Sequence, residues 1–304
     1  MRATAGSKRF SRVTRERSES GGWELARSEP PAKLRPFVRR YEGFTETSAA
    51  PLVRRELPAR DVVMIINFGA PYEVATPGRP GTPHPDSFVA PLSTRPANVG
   101  FTGVANCLQV DFTPLGAHRF LGLPLDELPQ PAIGLGDLLG WEGERLTAQL
   151  HDADGWADRF DLLDAMITRR LGASREPSPS VEWAWGQLVR SDGTAPVGAL
   201  AEQLGCSRKH LIAGFRQQIG VPPKSAARIM RFEHATRAIR ADPRASLARV
   251  AADCGYYDQA HMNRDFRELA GMPPGTFAGS IQPGFLGIAE ERVNSVQAAG
   301  GRRA

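Results

Sequence analysis

Two copies of one helical pattern lie near the C-terminus, and together they constrain the fold more than any composition figure does. The first reads Leu200-Ala201-Glu202-Gln203-Leu204-Gly205-Cys206-Ser207, followed by Leu211, Phe215, Gly220 and Pro223. The second reads Val250-Ala251-Ala252-Asp253-Cys254-Gly255-Tyr256-Tyr257-Asp258, followed by Met262, Phe266, Gly271 and Pro274. In each, a short helix carrying an apolar residue and a small Ala stops at a glycine, which suits a left-handed C-terminal cap and a tight turn. A second helix then starts at Ser207 or Asp258, good N-cap residues, and places apolar side chains at helical spacing. That is a helix-turn-helix, stated twice. The second helix of such a unit enters the DNA major groove, so duplication within one polypeptide predicts a sequence-specific DNA-binding chain. The copies differ by one residue: Gly205 to Phe215 is ten steps and Gly255 to Phe266 is eleven.

Between the copies, Lys224 to Ala241 carries Ile229, Phe232, Ala235, Ala238 and Ile239, an amphipathic stripe long enough for a connecting helix that ends near Asp242-Pro243. Residues of the second helices that the core does not claim are candidates for base contact. In the first unit these are Arg208, Lys209 and Ile212, beside Ala213 and Arg216; the apolar pair can meet only a thymine methyl. The second unit offers Gln259, His261, Asn263 and Arg264, and Asn or Gln to adenine and Arg to guanine are the favoured bidentate pairings. The second helix is therefore expected to carry most of the hydrogen-bonded readout. Lys224, Arg228 and Arg231, with the caps Ser207 and Asp258, are candidates for phosphate contact, Arg231 having the alternative of an ion pair with Glu233 or Asp265. Charge follows the same division. Residues 195–280 hold twelve Lys and Arg against seven Asp and Glu, and the first forty hold eleven against four, whereas residues 41–194 hold twelve against twenty. Nucleic acid is expected at the basic tracts.

Over roughly Thr194 to Ser280 the chain resembles the DNA-binding domain of the AraC/XylS family of bacterial transcription regulators. The match includes the Ala-x3-Gly-x-Ser opening, Gly220-x-x-Pro223, Arg228 and Arg231 with Ala235, the Gly255-x-x-Asp258 turn, Arg264-x-Phe266, and the closing Gly271-Met272-Pro273-Pro274-Gly275-Thr276-Phe277. The family usually offers an Arg where this chain has Ala213.

The first thirty residues are rich in Arg, Ser and Glu and read as a mobile basic extension, and residues 281–304 as a flexible tail. From Val53 to Thr113, short β-branched or aromatic runs broken by Gly, Pro and Asn predict an antiparallel barrel or sandwich. Helical text follows over Leu115 to Gly122, Leu135 to Leu150 and Trp156 to Leu171. Through "LRPFVRRYEGF", "INFG", "FVAPL", "VDFTPLGAHRFLGLPLDEL" and "RFDLLDAMITRRL", residues 31–172 resemble the N-terminal half of a group of AraC-type regulators of high-GC, actinobacterial type. That resemblance implies a cupin-like barrel that senses a small molecule, followed by a helical dimerisation or packing segment. The expected architecture is α+β: the β-rich cupin-like domain with trailing helices, a linker at 173–180, and an all-α domain at 181–280 with two helix-turn-helix units.

A ligand in the barrel needs inward polar groups against an apolar wall, and Tyr41, Asn67, Arg95, Gln109 and Asp111 are the candidates. An enzyme of the cupin type would need a cluster of metal ligands, and the front half offers only His84, His118 and His151, with no His-x-His. No metal, cofactor or catalytic residue is expected. Cys107, Cys206 and Cys254 have no metal spacing and lack the clustering of a DNA-repair methyltransferase; they read as small packing residues of a reducing cytoplasm. No run of eighteen apolar residues exists, so no membrane span is expected. The expected partner is double-stranded DNA; candidate partners are a small-molecule effector, RNA polymerase and a second copy of the chain. Two other classes stay open: a ligand-binding or interaction module with mainly nonspecific DNA affinity, and a cupin-type enzyme.

Overall fold

The computed structural model describes residues 12–18, 21–84, 86–280 and 288–289. The first half is one antiparallel sheet with β1 Arg12–Ser18, β2 Gly21–Ser28, β3 Val38–Glu56, β4 Val62–Asn67, β5 Tyr72–Ala75, β6 Thr82–His84, β7 Phe88–Ala90 and β8 Ala97–Phe112. Helix α1, Pro114–Leu121, and a 3-10 turn at Leu125–Glu127 lead to β9, Ile133–Gly134. Strands run in the order β1-β2-β3-β8-β4-β7-β9, and the upper end of β8 also pairs β5, which in turn pairs β6. The runs expected as separate strands at Val53–Leu57, Ala97–Phe101 and Asn106–Thr113 prove to be parts of two long strands. β3 and β8 pair along their whole lengths but break register between Ser48 and Leu52, where Gly103 sits at φ +93, so the pair bends back on itself.

Period-two alternation gives this bent sheet two apolar faces. Met64 and Ile66 of β4, Leu108, Val110 and Phe112 of β8, and Tyr41 of β3 turn outward against the helices. Ile65, Cys107, Phe101, Tyr72 and Phe88 turn into the bend and form a second cluster. The outer face is covered by α2 Leu135–Leu139, α3 Trp141–His151 and α4 Trp156–Ala173. The stretch expected as one helix from Leu135 to Leu150 is broken at Gly140, φ +56. Tyr41 stacks on Phe160 of α4 at 5.9 Å and donates its hydroxyl to Asp164 at 2.8 Å.

Residues 12–18 and 21–28 are not the mobile extension that their polarity suggested. β1 and β2 continue the sheet beyond β3, with Arg12 opposite Arg27 and Ser28 opposite Tyr41. Backbone pairing, which a hydrophobicity argument does not see, recruits them. The tail expectation lies outside the described residues except at β10, Ile288–Ala289, which pairs with Arg54 and Arg55 of β3.

The helical half comprises α5 Pro179–Arg190, α6 Val197–Gln203, α7 Arg208–Ile219, α8 Pro223–Ala241, α9 Leu247–Asp253, α10 Gln259–Leu269 and α11 Pro274–Gly279. The connection from α4 to α5 is shorter than the 173–180 linker expected. Arg119 of α1 holds it, donating to the Leu171 carbonyl at 2.7 Å, to Ser174 Oγ at 2.9 Å and to Glu176 at 2.9 Å. Among the described residues no helix is long and apolar enough to cross a membrane.

Candidate nucleic-acid interface

Both units fold as their glycines require. α6 ends before Gly205, φ +60, and α9 before Gly255, φ +75, a left-handed conformation that any side chain would strain. Ser207 Oγ accepts from the backbone of His210 at 3.1 Å, and Asp258 accepts from that of His261 at 2.6 Å, so each second helix starts on a side-chain cap. These bonds commit the cap oxygens to the helix starts. The turns superpose bond for bond through Cys206, whose N–H reaches the Ala201 carbonyl, and Tyr256, whose N–H reaches that of Ala251. The residue that lengthens the second copy is therefore Tyr257. It stands on the turn immediately before α10 and is 93% exposed.

The faces follow from 3.6 residues per turn. On α7, Leu211, Phe215 and Ile219 are buried. The opposite face centres on Lys209, Ala213, Arg216 and Gln217, all exposed. Arg208 lies nearer the inward side, its guanidinium over Gly198 of α6, and Ile212 is partly buried, so neither is central to the face where base contact was expected. On α10, Met262, Asp265, Phe266 and Leu269 are buried. The exposed face centres on Ala260, Arg264 and Arg267, with Gln259 at its margin. Asn263 is half-buried and His261 packs edge-on to Tyr256 at 5.3 Å. Arg267 escaped the sequence reading, although its spacing of three from Arg264 places it on the same face.

Helix α8 joins the units. Ala226, Ala227, Ile229 and Met230 enter one core, whereas Phe232, Ala235 and Ile239 enter another with Met262, Phe266 and Phe277. Two of the expected phosphate contacts are corrected here. Arg228 donates to Asp265 at 2.6 Å and to Glu268 at 2.5 Å, tying α8 to α10. Burial pulls its guanidinium pKa down, but the bonds and charge of the two carboxylates outweigh that and raise it. Arg231 donates to the Gly193 carbonyl at 2.7 Å and faces the Tyr256 ring at 5.8 Å. It bonds neither of the acids weighed for it. A buried carboxylate and a free carbonyl need these donors more than a phosphate does. Lys224 remains exposed near the start of α8.

The bent sheet encloses a cavity of about 780 Å³. Phe44, Ile65, Tyr72, Phe88, Phe101 and Cys107 close its apolar end. The other end carries Arg40, Glu42, Glu56, Asp61, Gln109 and Asp111, and its wall includes Leu125 and, from the helical half, Gly220 and Val221. Gln109 donates to Asp111 at 2.7 Å, Arg40 donates to the other Asp111 oxygen, and Arg27 donates to Glu42 at 2.8 Å. Of the five residues expected to meet a ligand, Gln109, Asp111 and Arg95 line the cavity. Tyr41 and Asn67 do not: Tyr41 points to the helices, and Asn67 bridges the β4–β5 turn, donating to the Ala70 carbonyl at 3.1 Å and accepting from Gly69 at 3.0 Å. A one-residue change of parity decides a strand residue's face, and the sequence did not fix that parity. Burial pushes the Cys107 thiol up to about 11, with a hydrogen bond from Tyr72 opposing it.

The two halves meet along α7. α1 and the 3-10 turn pack against it, Ser178 N–H donates to Gln218 at 2.9 Å, and a Cβ on Gly220, φ +91, would stand 3.2 Å from that of Leu125. Arg60 pairs with Glu233 at 3.4 Å, and Arg55 donates to the Ala270 carbonyl at 3.2 Å. The first unit thus shares one apolar core with the sheet domain, and the second has its own.

A family described as a helix-turn-helix domain matches residues 200–280, and one described as a domain of unknown function (DUF6597) matches residues 26–133. A Streptomyces lividans protein described as an AraC-like transcription regulator is 33% identical over 128 residues, 42% of this chain and 36% of that one. The chain therefore spans about a third of the length of the curated relative that it matches. Among solved structures, ToxT from Vibrio cholerae is similar at 10% identity, over 86% of this chain and 98% of that one, with a TM-score of 0.45. The C-terminal domain of AraT, a response regulator from Geobacillus stearothermophilus, is similar at 20% identity over 36% of this chain and 94% of that one, with a TM-score of 0.33. Residues 200–280 of this chain form a helix-turn-helix domain, carried behind an N-terminal antiparallel β-sheet domain.

Proposed function

We propose that the chain is a sequence-specific DNA-binding transcription regulator of the bacterial cytoplasm, and that a small molecule in the sheet-domain cavity modulates its hold on DNA. One observation carries the first part: two capped second helices, on a shared α8, expose cationic faces whose inner sides are committed to the core. Arg264 and Arg267 would read base edges from α10, while Lys209 and Arg216 would serve from α7. Tyr257, with Lys224, would meet the phosphate backbone, which supplies affinity and salt dependence without sequence preference. Its chemistry is then recognition and not catalysis.

The modulation rests on the position of Gly220 and Val221. These two residues end α7 and form part of the cavity wall, so an occupant touches the element that presents the first unit to DNA. A ligand that favours one orientation of α7 shifts DNA affinity by its differential affinity for the two arrangements, and DNA shifts ligand affinity by the same factor. RNA polymerase and a second copy of the chain are the further partners that this role would recruit. The test is binding of the full chain to a random duplex pool at graded salt. Enrichment of one motif supports the regulator; salt-sensitive binding without a motif favours the nonspecific interaction module.

A further inference from the structure

The charges at the inner end of the cavity are neutralised by the protein itself. Arg27 donates to Glu42 at 2.8 Å, while Arg40 stands 3.5 Å from Glu42 and donates to Asp111. Both carboxylates are buried, with side chains 6% and 3% exposed. Gln109 holds the second Asp111 oxygen at 2.7 Å. Arg54 and Asp61 turn to partners outside the lining, Glu46 at 2.6 Å and Arg39 at 2.8 Å. The remaining charged residues of the lining, Glu56, Arg79, Arg95 and Asp126, are exposed, so water already solvates and screens them. At the apolar end, Tyr72 donates its hydroxyl to Cys107.

Paired charges of this kind can solvate a dipole but not an ion. An ionised head entering beside Arg40 and Asp111 gains a counter-ion only by drawing it from the partner that it already has. The member left behind is then a poorly hydrated charge without a partner, which is costly. A zwitterion carries both signs, but it must open two pairs that already match each other. A hydroxyl or carbonyl makes no such demand. It accepts from guanidinium N–H groups that the pairs leave over, or donates to a spare carboxylate lone pair, and it brings no charge of its own.

We propose that the cavity selects an uncharged amphiphile: an apolar or aromatic body lodged in the bend against Phe44, Phe88 and Phe101, with a hydroxyl or carbonyl oxygen at the Arg40–Asp111 end. This rests on the reading of the cavity as an effector site. A pocket of 300 to 1,000 Å³ holds a drug-sized molecule, and about 780 Å³ lies within that range. The internal ion pairs act as the filter, since they leave the inner end polar while removing any net charge that an ion could answer.

The experiment uses four probes that share one skeleton: 4-phenylbutan-1-ol, 4-phenylbutylamine, 4-phenylbutyrate and the zwitterion 2-amino-4-phenylbutyrate, titrated calorimetrically into the full chain at neutral pH. The alcohol is expected to bind at least about tenfold more tightly than each of the other three, as one displaced charge partner implies. A charged probe inside that margin overturns the uncharged assignment and leaves an effector cavity in place. The same titrations on Asp111→Asn test the filter. With its buried counter-ion gone, Arg40 should accept an anion, so the affinity of 4-phenylbutyrate relative to the alcohol should rise about tenfold. An unchanged ratio overturns the role given to the internal pairs. Failure of all four probes to bind overturns the cavity reading together with this one.

Discussion

Arg264 and Arg228 are both arginines of the helical half, and their surroundings give them opposite work. Arg264 is exposed on the outer face of α10, so Arg264→Ala is expected to cost about 1 to 3 kcal/mol on the specific site and relax one base preference. An unchanged preference in a binding selection would remove it from the readout. Arg228 is held by Asp265, which is 6% exposed, and by Glu268. Arg228→Ala should lower stability by about 2 kcal/mol, since it strands a buried carboxylate, and leave the salt dependence of DNA binding as it is. A salt slope reduced by about one phosphate contact would contradict that. Asp61 supplies a pH test. Its folded pKa, about 6, lies above the ordinary 3.8, so the native state holds this proton more tightly than the unfolded chain does. Stability from this group is present below pH 4 and lost as pH rises through 6. The stability difference between wild type and Asp61→Asn should therefore drift against the wild type across pH 4 to 6 in chemical denaturation, and a flat difference would refute the shift. The sequence did not distinguish these arginines, because spacing says which way a side chain leaves a helix but not which distant carboxylate waits for it.

Helix α8 and the two turns were legible from spacing alone. Ala235 and Ile239 fall on the stripe that faces the second core, and Phe266 sits at its centre. Phe266→Ala should cost about 3 to 5 kcal/mol by opening a cavity between Phe232 and Phe277, and an unaltered melting curve would mean that the core lies elsewhere. A proline at 235 would break the helix that both units share, and the two halves of a DNA site should then bind independently. The sheet was harder to read. β3 and β8 are long and bent, and they surfaced in the sequence as several short runs because their alternation resets at the bend. β1 and β2 were missed outright: their polar residues suit a sheet margin, where backbone hydrogen bonds do what side chains do elsewhere. Tyr41 and Asn67 were misplaced for a related reason, since a strand's parity follows its pairing partner, and the chain does not announce that partner.

Taken together, the molecule couples a cavity to one reading unit and leaves the other on its own core. The sheet domain, α1, the 3-10 turn and the first unit share an apolar cluster, while the second unit keeps its own core on α8, which the sheet domain touches through Leu57 and through Arg55 on the Ala270 carbonyl. A ligand at the cavity wall would act first on α7, so effector-dependent changes should fall on the half-site read by Lys209 and Arg216 and spare the one read by Arg264. Two groove-reading helices held about one helical turn apart, ~34 Å, would address a single face of an asymmetric site of roughly 15 to 20 base pairs. Selection of bound sequences from a random duplex pool with purified full-length chain, repeated with Arg264→Ala, tests this most directly. The account predicts an enriched motif of two unequal half-sites about one turn apart, with the substitution blurring one of them. A flat selection, or a motif that Arg264→Ala weakens evenly along its length, would contradict it.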